Sequence, residues 1–211
     1  MTEQETDAWR RQRLGHVTAS RIADVIAKTK SGPSASRANY MAALIAERLT
    51  GLPMDNYVNG PMQWGIDVEP EARAAYEFRT DTEVEPCGFV LHPTIAMTGA
   101  SPDGLVGQNG LVEIKCPLTA THLETMLTGS VAGKYDAQMQ WQMACTERQW
   151  CDFVSYDPRL PETMRLYVHR VKRDNAAIMA LQTEVMVFLA ELDRRMAELT
   201  QRFVKLPAVT P

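Results

Sequence analysis

The sequence reads Ser101-Pro102-Asp103-Gly104 and then, with nine residues between Asp103 and the next acid, Glu113-Ile114-Lys115. Alternate side chains of a strand lie on one face, so Glu113 and Lys115 are predicted to project together, about 6.7 Å apart. Ile114 is predicted to point the other way, into the core. Asp103 precedes a hairpin turn and is expected to return to the mouth of the same strand. The pattern therefore predicts two carboxylates and one ammonium group at a single place.

The combination of Asp103, Glu113 and Lys115 suits a hard divalent cation. Mg²⁺ prefers oxygen ligands and is usually held by one or two carboxylates, with water and phosphate in the remaining positions. The Lys115 ammonium can orient or help to deprotonate a water and balance the charge of an anionic transition state. The predicted reaction is phosphodiester hydrolysis by metal-activated water. The alternative is a surface hairpin with an ion pair, because so short a spacing also recurs by chance.

Apolar periodicity predicts helices on both sides of this hairpin. Thr18 or Ser20 is predicted to cap a helix that runs through Ile26, and Ser36 to start another that Gly51 ends. Residues 31–34, between the two, are predicted to form a loop. Further helices are predicted at 61–78, 121–128 and 137–146, and a long amphipathic helix at 175–204.

The strand signals predict a mixed sheet. Runs at 83–91, 94–100 and 111–116 are expected to form a meander, with Asp103-Gly104 and Asn109-Gly110 supplying turns. Two more strands are predicted at 150–156 and 164–171. This order of elements is typical of an α/β sandwich. We expect one domain over 1–211, with a helical part at 7–80, a catalytic sheet core at about 82–171 and a C-terminal helix at about 175–204.

The composition is that of a soluble globular protein, since 45% of the 211 residues are hydrophobic and 23% are charged. A chain of this length needs no disulfide or metal to hold its core. The four cysteines form no C-x-x-C pair, which argues against a zinc ribbon or redox motif and fits a reducing cytoplasm. The acidic start resembles no secretory signal, and no run of about 18 apolar residues predicts a membrane span.

The net charge of −4 argues against a partner as negative as DNA, but its distribution changes this reading. Residues 10–50 carry eight basic and two acidic residues, a net charge of +6. Residues 51–103 carry nine acidic and two basic residues, a net charge of −7. Such a chain can bind a polyanion with one part and collect metal-binding carboxylates in the other, unless both are merely solvated faces.

Seven blocks of sequence stand in a fixed order between residues 7 and 159: Asp7-Ala8-Trp9-Arg10-Arg11-Gln12-Arg13-Leu14-Gly15, Thr18-Ala19-Ser20, Trp64-Gly65 with Glu69, Ser101-Pro102-Asp103-Gly104-Leu105, Glu113-Ile114-Lys115-Cys116-Pro117, Tyr135 with Ala137-Gln138, and Tyr156-Asp157-Pro158-Arg159. Together they resemble the phage lambda exonuclease family. That family belongs to the PD-(D/E)xK nuclease class, whose restriction-endonuclease-like core of mixed sheet and flanking helices agrees with the predicted order of elements.

The resemblance implies a magnesium-dependent enzyme, with Mn²⁺ as a possible substitute. It would digest one strand of linear double-stranded DNA processively from the 5′ end, release 5′-mononucleotides and leave a 3′ tail for recombination. Lys115 would activate the attacking water, and Gln138, with Tyr135 as a similar match, would help to position that water and Lys115. The implied metal ligands are Asp103, Glu113, the main-chain carbonyl of Ile114, and Glu69.

The resemblance also implies how a DNA end is held. Arg13, Ser20 and Ser101 match a pocket for the 5′-phosphate, which needs guanidinium and hydroxyl donors. Lys30 stands where the family has an arginine that contacts DNA, and Met62 where it has a leucine that wedges between the terminal base pairs. The family further implies a ring-shaped homotrimer, a single-strand annealing protein as partner, and a phage or prophage protein in the bacterial cytoplasm.

Three other functions are alternatives to the exonuclease. A restriction-type endonuclease would need an added element that reads base edges. A DNA-end-binding module with a dead site is disfavoured because the acids, lysine and glutamine of the family site are all present. An iron–sulfur relative of the class would need clustered cysteines.

Overall fold

The computed structural model describes residues 4, 6–30, 32–54 and 60–204. Within them, helices α1 to α7 span Asp7–Arg13, Ile22–Ile26, Ala35–Thr50, Gly60–Thr80, Thr119–Thr128, Gly133–Thr146 and Asn175–Leu199. Strands β1 to β10 span Val17–Thr18, Lys28–Thr29, Gly32–Pro33, Val84–Glu85, Val90–Leu91, Thr98–Ala100, Gly104–Val106, Gly110–Lys115, Trp150–Tyr156 and Leu166–Lys172. The helices and strands predicted after residue 100 agree closely with these bounds.

The main sheet has five strands in the order β10-β9-β8-β7-β4. Strands β8 and β9 are parallel, with Glu113 opposite Phe153, and the other neighbours are antiparallel. A parallel pair needs a long crossover, which α5 and α6 provide. The predicted α/β class with a mixed sheet flanked by helices is therefore confirmed.

Helices cover both faces of this sheet, and so β8 is buried almost throughout. Val112 and Ile114 pack towards α4, in a cluster with Val68 and Tyr76. Residues from the opposite face of the sheet pack with α6 in a second cluster: Leu111, Met139, Met143, Cys151, Phe153 and Val171. Because strand side chains alternate, Glu113 must also point into the α6 side. The sheet thus buries a carboxylate between two layers.

Helix α7 supplies a third core with α2, α3 and α6. Its apolar stripe, including Val185, Phe188 and Leu192, packs against Trp141 and Tyr40. Asp174 caps the helix by accepting from the N–H groups of the two residues 176 and 177. By length and composition the segment Asn175–Phe203 could also cross a membrane. Its buried stripe shows instead a helix that packs on a protein core.

The predicted meander at 83–116 is wrong. The first run splits, because Val84–Glu85 joins the main sheet while Val90–Leu91 joins a second sheet of order β1-β6-β5. The run at 94–100 forms a strand only from Thr98, because the Nδ1 atom of His92 accepts the N–H groups of Thr94 and Ile95 in a turn. Side-chain bonds to the backbone compete in this way with strand pairing.

The predicted turn at Asp103-Gly104 is also wrong, since Gly104 begins strand β7 and the hairpin turns after Val106. A side chain at Gly104 would place its Cβ only 2.1 Å from Cγ1 of Val84. This glycine therefore allows β4 to approach β7. The turn predicted at Asn109-Gly110 does lie in the β7–β8 hairpin.

Three further local predictions need correction. Neither Thr18 nor Ser20 caps α2, because a short 3₁₀ turn at Ala19–Arg21 precedes that helix and neither cap has a side-chain bond. Helix α3 is capped by Ser34 and not begun by Ser36. The predicted loop at 31–34 contains strand β3, which pairs with β2, while Ser31 lies outside the described residues.

Candidate active site

Asp103 and strand β8 meet as the spacing predicts. The Oδ2 atom of Asp103 accepts the backbone N–H of Ile114 at 2.6 Å. This bond holds the carboxylate at the C-terminal half of β8, beside the residues on either side of Ile114. Asp103 lies three residues before Val106 and Glu113 lies three residues after Gly110, so the β7–β8 hairpin brings the two acids to the same end of its strands.

Glu113 and Lys115 form an ion pair on the α6 side of the sheet. The Glu113 side chain is 0% exposed, so protein groups must replace the water that a carboxylate normally binds. Gln138 donates through Nε2 to its Oε1 at 2.6 Å, and Gln142 donates through Nε2 to its Oε2 at 2.5 Å. Both amides come from α6, one turn apart.

Gln142 was missed by the sequence analysis. The available signal was its spacing, since four residues separate it from Gln138 and residues i and i+4 share a helix face. All residues from Ala137 to Cys145 are buried, so the apolar pattern of α6 did not distinguish its faces.

Glu69 lies on α4 and reaches the site through an arginine. It accepts from Nη2 of Arg73 at 2.8 Å, one turn further along the helix. Nη1 of the same arginine donates to the main-chain oxygen of Asp103 at 2.7 Å. Arg73 therefore connects Glu69 to Asp103, a role that the sequence analysis did not assign.

The charges at this place shift two pKa values. Burial raises the pKa of Asp103 well above its usual value, and the neighbouring Glu113 raises it further, while Lys115 opposes the shift. Burial lowers the pKa of Lys115, but the charges of Glu113 and Asp103 outweigh this and raise it overall. Lys115 is therefore an ammonium ion at neutral pH, and one ammonium faces an excess of carboxylate charge.

This donor set fits a divalent cation. Burial, reinforced by the charge of Glu113, disfavours the ionised form of Asp103, and a bound cation would offset that cost. Among the described residues, no group of three or more His, Cys, Asp and Glu side chains is arranged to hold a metal. Two carboxylates, Asp103 and Glu113, with a carbonyl such as that of Ile114, remain a suitable set for Mg²⁺, which keeps several waters.

The predicted phosphate-binding residues gather at one edge of the second sheet. Ser101 accepts from Nη1 of Arg13 at 3.3 Å and from Nε1 of Trp9 at 3.0 Å. The guanidinium of Arg13 also lies 4.1 Å from the centroid of the Trp9 ring. Strands β1 and β6 are parallel, so Ser20 and Ser101, which follow them in the chain, lie at the same end of the two strands.

The other three predicted residues lie in different surroundings. Tyr135 is next to the site, because Nζ of Lys115 lies 5.5 Å from its ring centroid. Lys30 is exposed beside the β2–β3 hairpin, and Met62 is 51% exposed in the first turn of α4.

A sequence model of the YqaJ-like viral recombinase domain matches residues 8–149, about two thirds of the chain. The chain belongs to this family. The matched segment of the YqaJ-like recombinase domain contains Asp103, Glu113 and Lys115, and it also contains Gln138 and Gln142. The expected membership of the lambda exonuclease group of nucleases is thereby confirmed.

Solved structures agree with this assignment of the recombinase domain. The alkaline exonuclease LHK-Exo from Laribacter hongkongensis is 54% identical, with a TM-score of 0.89, over 95% of this chain and 99% of that one. The structure of LHK-Exo in complex with dAMP matches with the same values.

A phage-related exonuclease from Haemophilus somnus 129PT is 16% identical, with a TM-score of 0.69. The match covers 87% of this chain and 96% of that one and shows a shared fold. No match was found among curated proteins. The predicted class of enzyme is confirmed, and the recombinase domain is an exonuclease.

Proposed function

We propose that this exonuclease digests one strand of linear double-stranded DNA in the 5′-to-3′ direction, from 5′-phosphorylated ends, and leaves 3′ tails for phage-type recombination. One observation carries the proposal. Arg13 donates to Ser101, and Ser101 lies only two residues before Asp103 along the chain. Two residues span at most about 7 Å. A terminal phosphate held there would lie close to the carboxylates.

Each group of the site has a role in this reaction. Arg13, Ser20 and Ser101 would hold the 5′-phosphate by charge-assisted hydrogen bonds. Asp103 and Glu113, with the carbonyl of Ile114 and with Glu69 as a further acid, would hold Mg²⁺, for which Mn²⁺ could substitute. The metal, when bound, lowers the pKa of a water and neutralises charge on the phosphate.

The remaining residues act on the water and on the leaving strand. The Lys115 ammonium orients the attacking water and offsets the charge that develops on the phosphate. Gln138 holds Glu113 in place, and Tyr135 packs beside Lys115. Met62, exposed on the first turn of α4, is the proposed wedge between terminal base pairs, and Lys30 the proposed backbone contact.

The dAMP complex of LHK-Exo supports the proposed products, because dAMP is a 5′-mononucleotide. By the same family argument we expect a homotrimeric ring, an annealing protein as partner, and action in the cytoplasm of a bacterium that carries the phage or prophage. Light scattering of the purified protein tests the trimer directly.

A comparison of DNA ends tests the proposal. With Mg²⁺, 5′-phosphorylated linear duplex should be degraded faster than 5′-hydroxyl duplex, and closed circles should remain intact. EDTA should stop all digestion. In Arg13→Gln the preference for the phosphorylated end should shrink, because the guanidinium that recognises the dianion is absent.

The same assay distinguishes the endonuclease alternative. Rapid cutting of closed circles into discrete fragments would contradict the exonuclease, and equal rates on the two kinds of end would contradict the proposed phosphate pocket. A 3′-end label that is released before a 5′-end label would reverse the assigned direction.

A further inference from the structure

Helix α6 carries three buried glutamines with two different kinds of partner. Gln138 and Gln142 both donate to the carboxylate of Glu113, one to each oxygen. Gln140 lies between them in the sequence but points elsewhere. Its Nε2 donates to the main-chain oxygen of Lys172 at 2.9 Å, and its Oε1 accepts the N–H of Asp174 at 2.9 Å. The helix thus uses one glutamine to hold the backbone and two to hold a single side chain.

The bond from Gln142 reaches an oxygen that the other donors do not. Lys115 and Gln138 both contact Oε1 of Glu113, whereas Gln142 contacts Oε2. A carboxylate held at one oxygen can still turn about its last bond, and donors on both oxygens prevent that rotation. Because Glu113 is 0% exposed, water cannot replace a missing donor.

We propose that Gln142 is a positioning residue of the metal site. By holding Oε2, it fixes the plane of the Glu113 carboxylate and keeps that carboxylate ready to bind a divalent cation shared with Asp103. The inference rests on the proposed function, in which Glu113 is a metal ligand. Groups that orient a ligand in this way typically change metal affinity by about 10- to 100-fold when they are removed.

The experiment compares two substitutions on the same helix. Gln142→Met keeps the length of the side chain but removes the donor, and Gln140→Met makes the same change at a buried glutamine that does not touch the site. Calorimetric titration with Mn²⁺, in the absence of DNA, should give a dissociation constant for Gln142→Met raised by about 10- to 100-fold. Gln140→Met should lower the melting temperature and leave Mn²⁺ binding unchanged.

A second variant and a ligand control make each outcome decisive. If Gln142→Met does not fold, Gln142→Asn keeps the amide and withdraws it by one methylene, and the same loss of Mn²⁺ affinity is expected. Unchanged affinity in a folded Gln142 variant would overturn the inference. If Glu113→Gln binds Mn²⁺ as tightly as the unaltered protein, the proposed metal site itself fails. If Glu113→Gln loses Mn²⁺ binding but the Gln142 variants keep their Mn²⁺ affinity, only the positioning role of Gln142 would be overturned.

Discussion

At the scale of single residues, Lys115 acts as a fixed positive charge. Its Nζ pairs with Glu113, and the two carboxylates raise its pKa in spite of burial. An ammonium in this state cannot accept a proton from water, and so it acts by orientation and by charge. The catalytic contribution of such a preorganised cation is largest where solvent is excluded.

Removal of this charge should abolish digestion. Lys115→Ala and Asp103→Ala are expected to reduce the rate on linear duplex by at least about 100-fold, while the circular dichroism spectrum and DNA binding persist. Lys134→Ala is the matched control, because Lys134 is an exposed lysine whose Nζ lies 4.7 Å from the same Tyr135 ring. Full activity of Lys115→Ala would contradict the assigned site.

The residues of the site were not all predictable from the sequence. Strand alternation and a hairpin spacing sufficed to place Asp103, Glu113 and Lys115 together, since those rules are local. Gln142 shares a helix face with Gln138, but neither its partner nor that of Arg73 was predictable, because each acts through a contact between elements far apart in the chain. Only the packing of α6 and α4 on opposite faces of β8 determines which polar side chains reach the carboxylates.

At the scale of elements, long strands and helices were predicted well, and short strands were not. Strand β9 and helix α6 have sustained patterns, and their predicted bounds lie within a few residues of the observed ones. The runs at 83–91 and 94–100 mix apolar residues with polar ones such as Glu83, Glu85 and Thr94, so no regular alternation shows where the chain leaves one sheet for another. The turn that His92 stabilises needs a side-chain bond that no periodicity reports.

The block Tyr156-Asp157-Pro158-Arg159 connects three elements beside the site. Asp157 accepts from Nε of Arg159 at 2.7 Å and from its Nη2 at 2.8 Å, and it also bonds Thr119 at the start of α5. The guanidinium of Arg159 lies 4.5 Å from the ring centroid of Trp64 on α4. The end of β9 is thus tied to helices α4 and α5.

This connection predicts an acid-dependent loss of stability. The hydrogen bonds from Arg159 lower the pKa of Asp157 from 3.8 to about 2. A carboxyl whose pKa is lowered in the folded state stabilises the fold at pH values above the pKa that it has in the unfolded chain. That stabilisation is lost as the pH falls towards the lowered pKa. Asp157→Asn should therefore melt below the unaltered protein at pH 7, and the difference should vanish between about pH 4 and pH 2.

The control for this prediction is Asp67→Asn, since Asp67 is exposed and, within the described part of the chain, accepts from the neighbouring Gln63. It should change the melting temperature little at any pH. A difference between Asp157→Asn and the unaltered protein that stayed constant down to pH 2 would show that the carboxyl charge is not the stabilising feature.

At the scale of the whole molecule, part of the positive charge of the basic segment at 10–50, which sums to +6, is paired within the protein. Three of its basic residues pair with acids of α7, which lie about 150 residues further along the chain: Lys28 with Glu184, Arg37 with Glu191, and Arg48 with Asp193. These pairs fasten the β2–β3 hairpin and α3 to α7. Fewer of these charges are consequently available to the proposed DNA substrate, and Lys30 on the surface is one that remains.

The two lysines of one hairpin separate these roles. Lys28 pairs with Glu184, with 2.5 Å between Nζ and Oε1, whereas Lys30 two residues later is exposed and is the proposed contact to the DNA backbone.

Each phosphate contact adds nearly one unit to the slope of log affinity against log salt concentration, because a bound counterion is released. Lys30→Gln should therefore weaken binding to linear duplex at every sequence and reduce that slope by about 1. Lys28→Gln should leave the slope unchanged, because its charge already has a protein partner. Fluorescence anisotropy with EDTA, which separates binding from digestion, gives both slopes, and equal slopes for the two variants would remove Lys30 from the DNA interface.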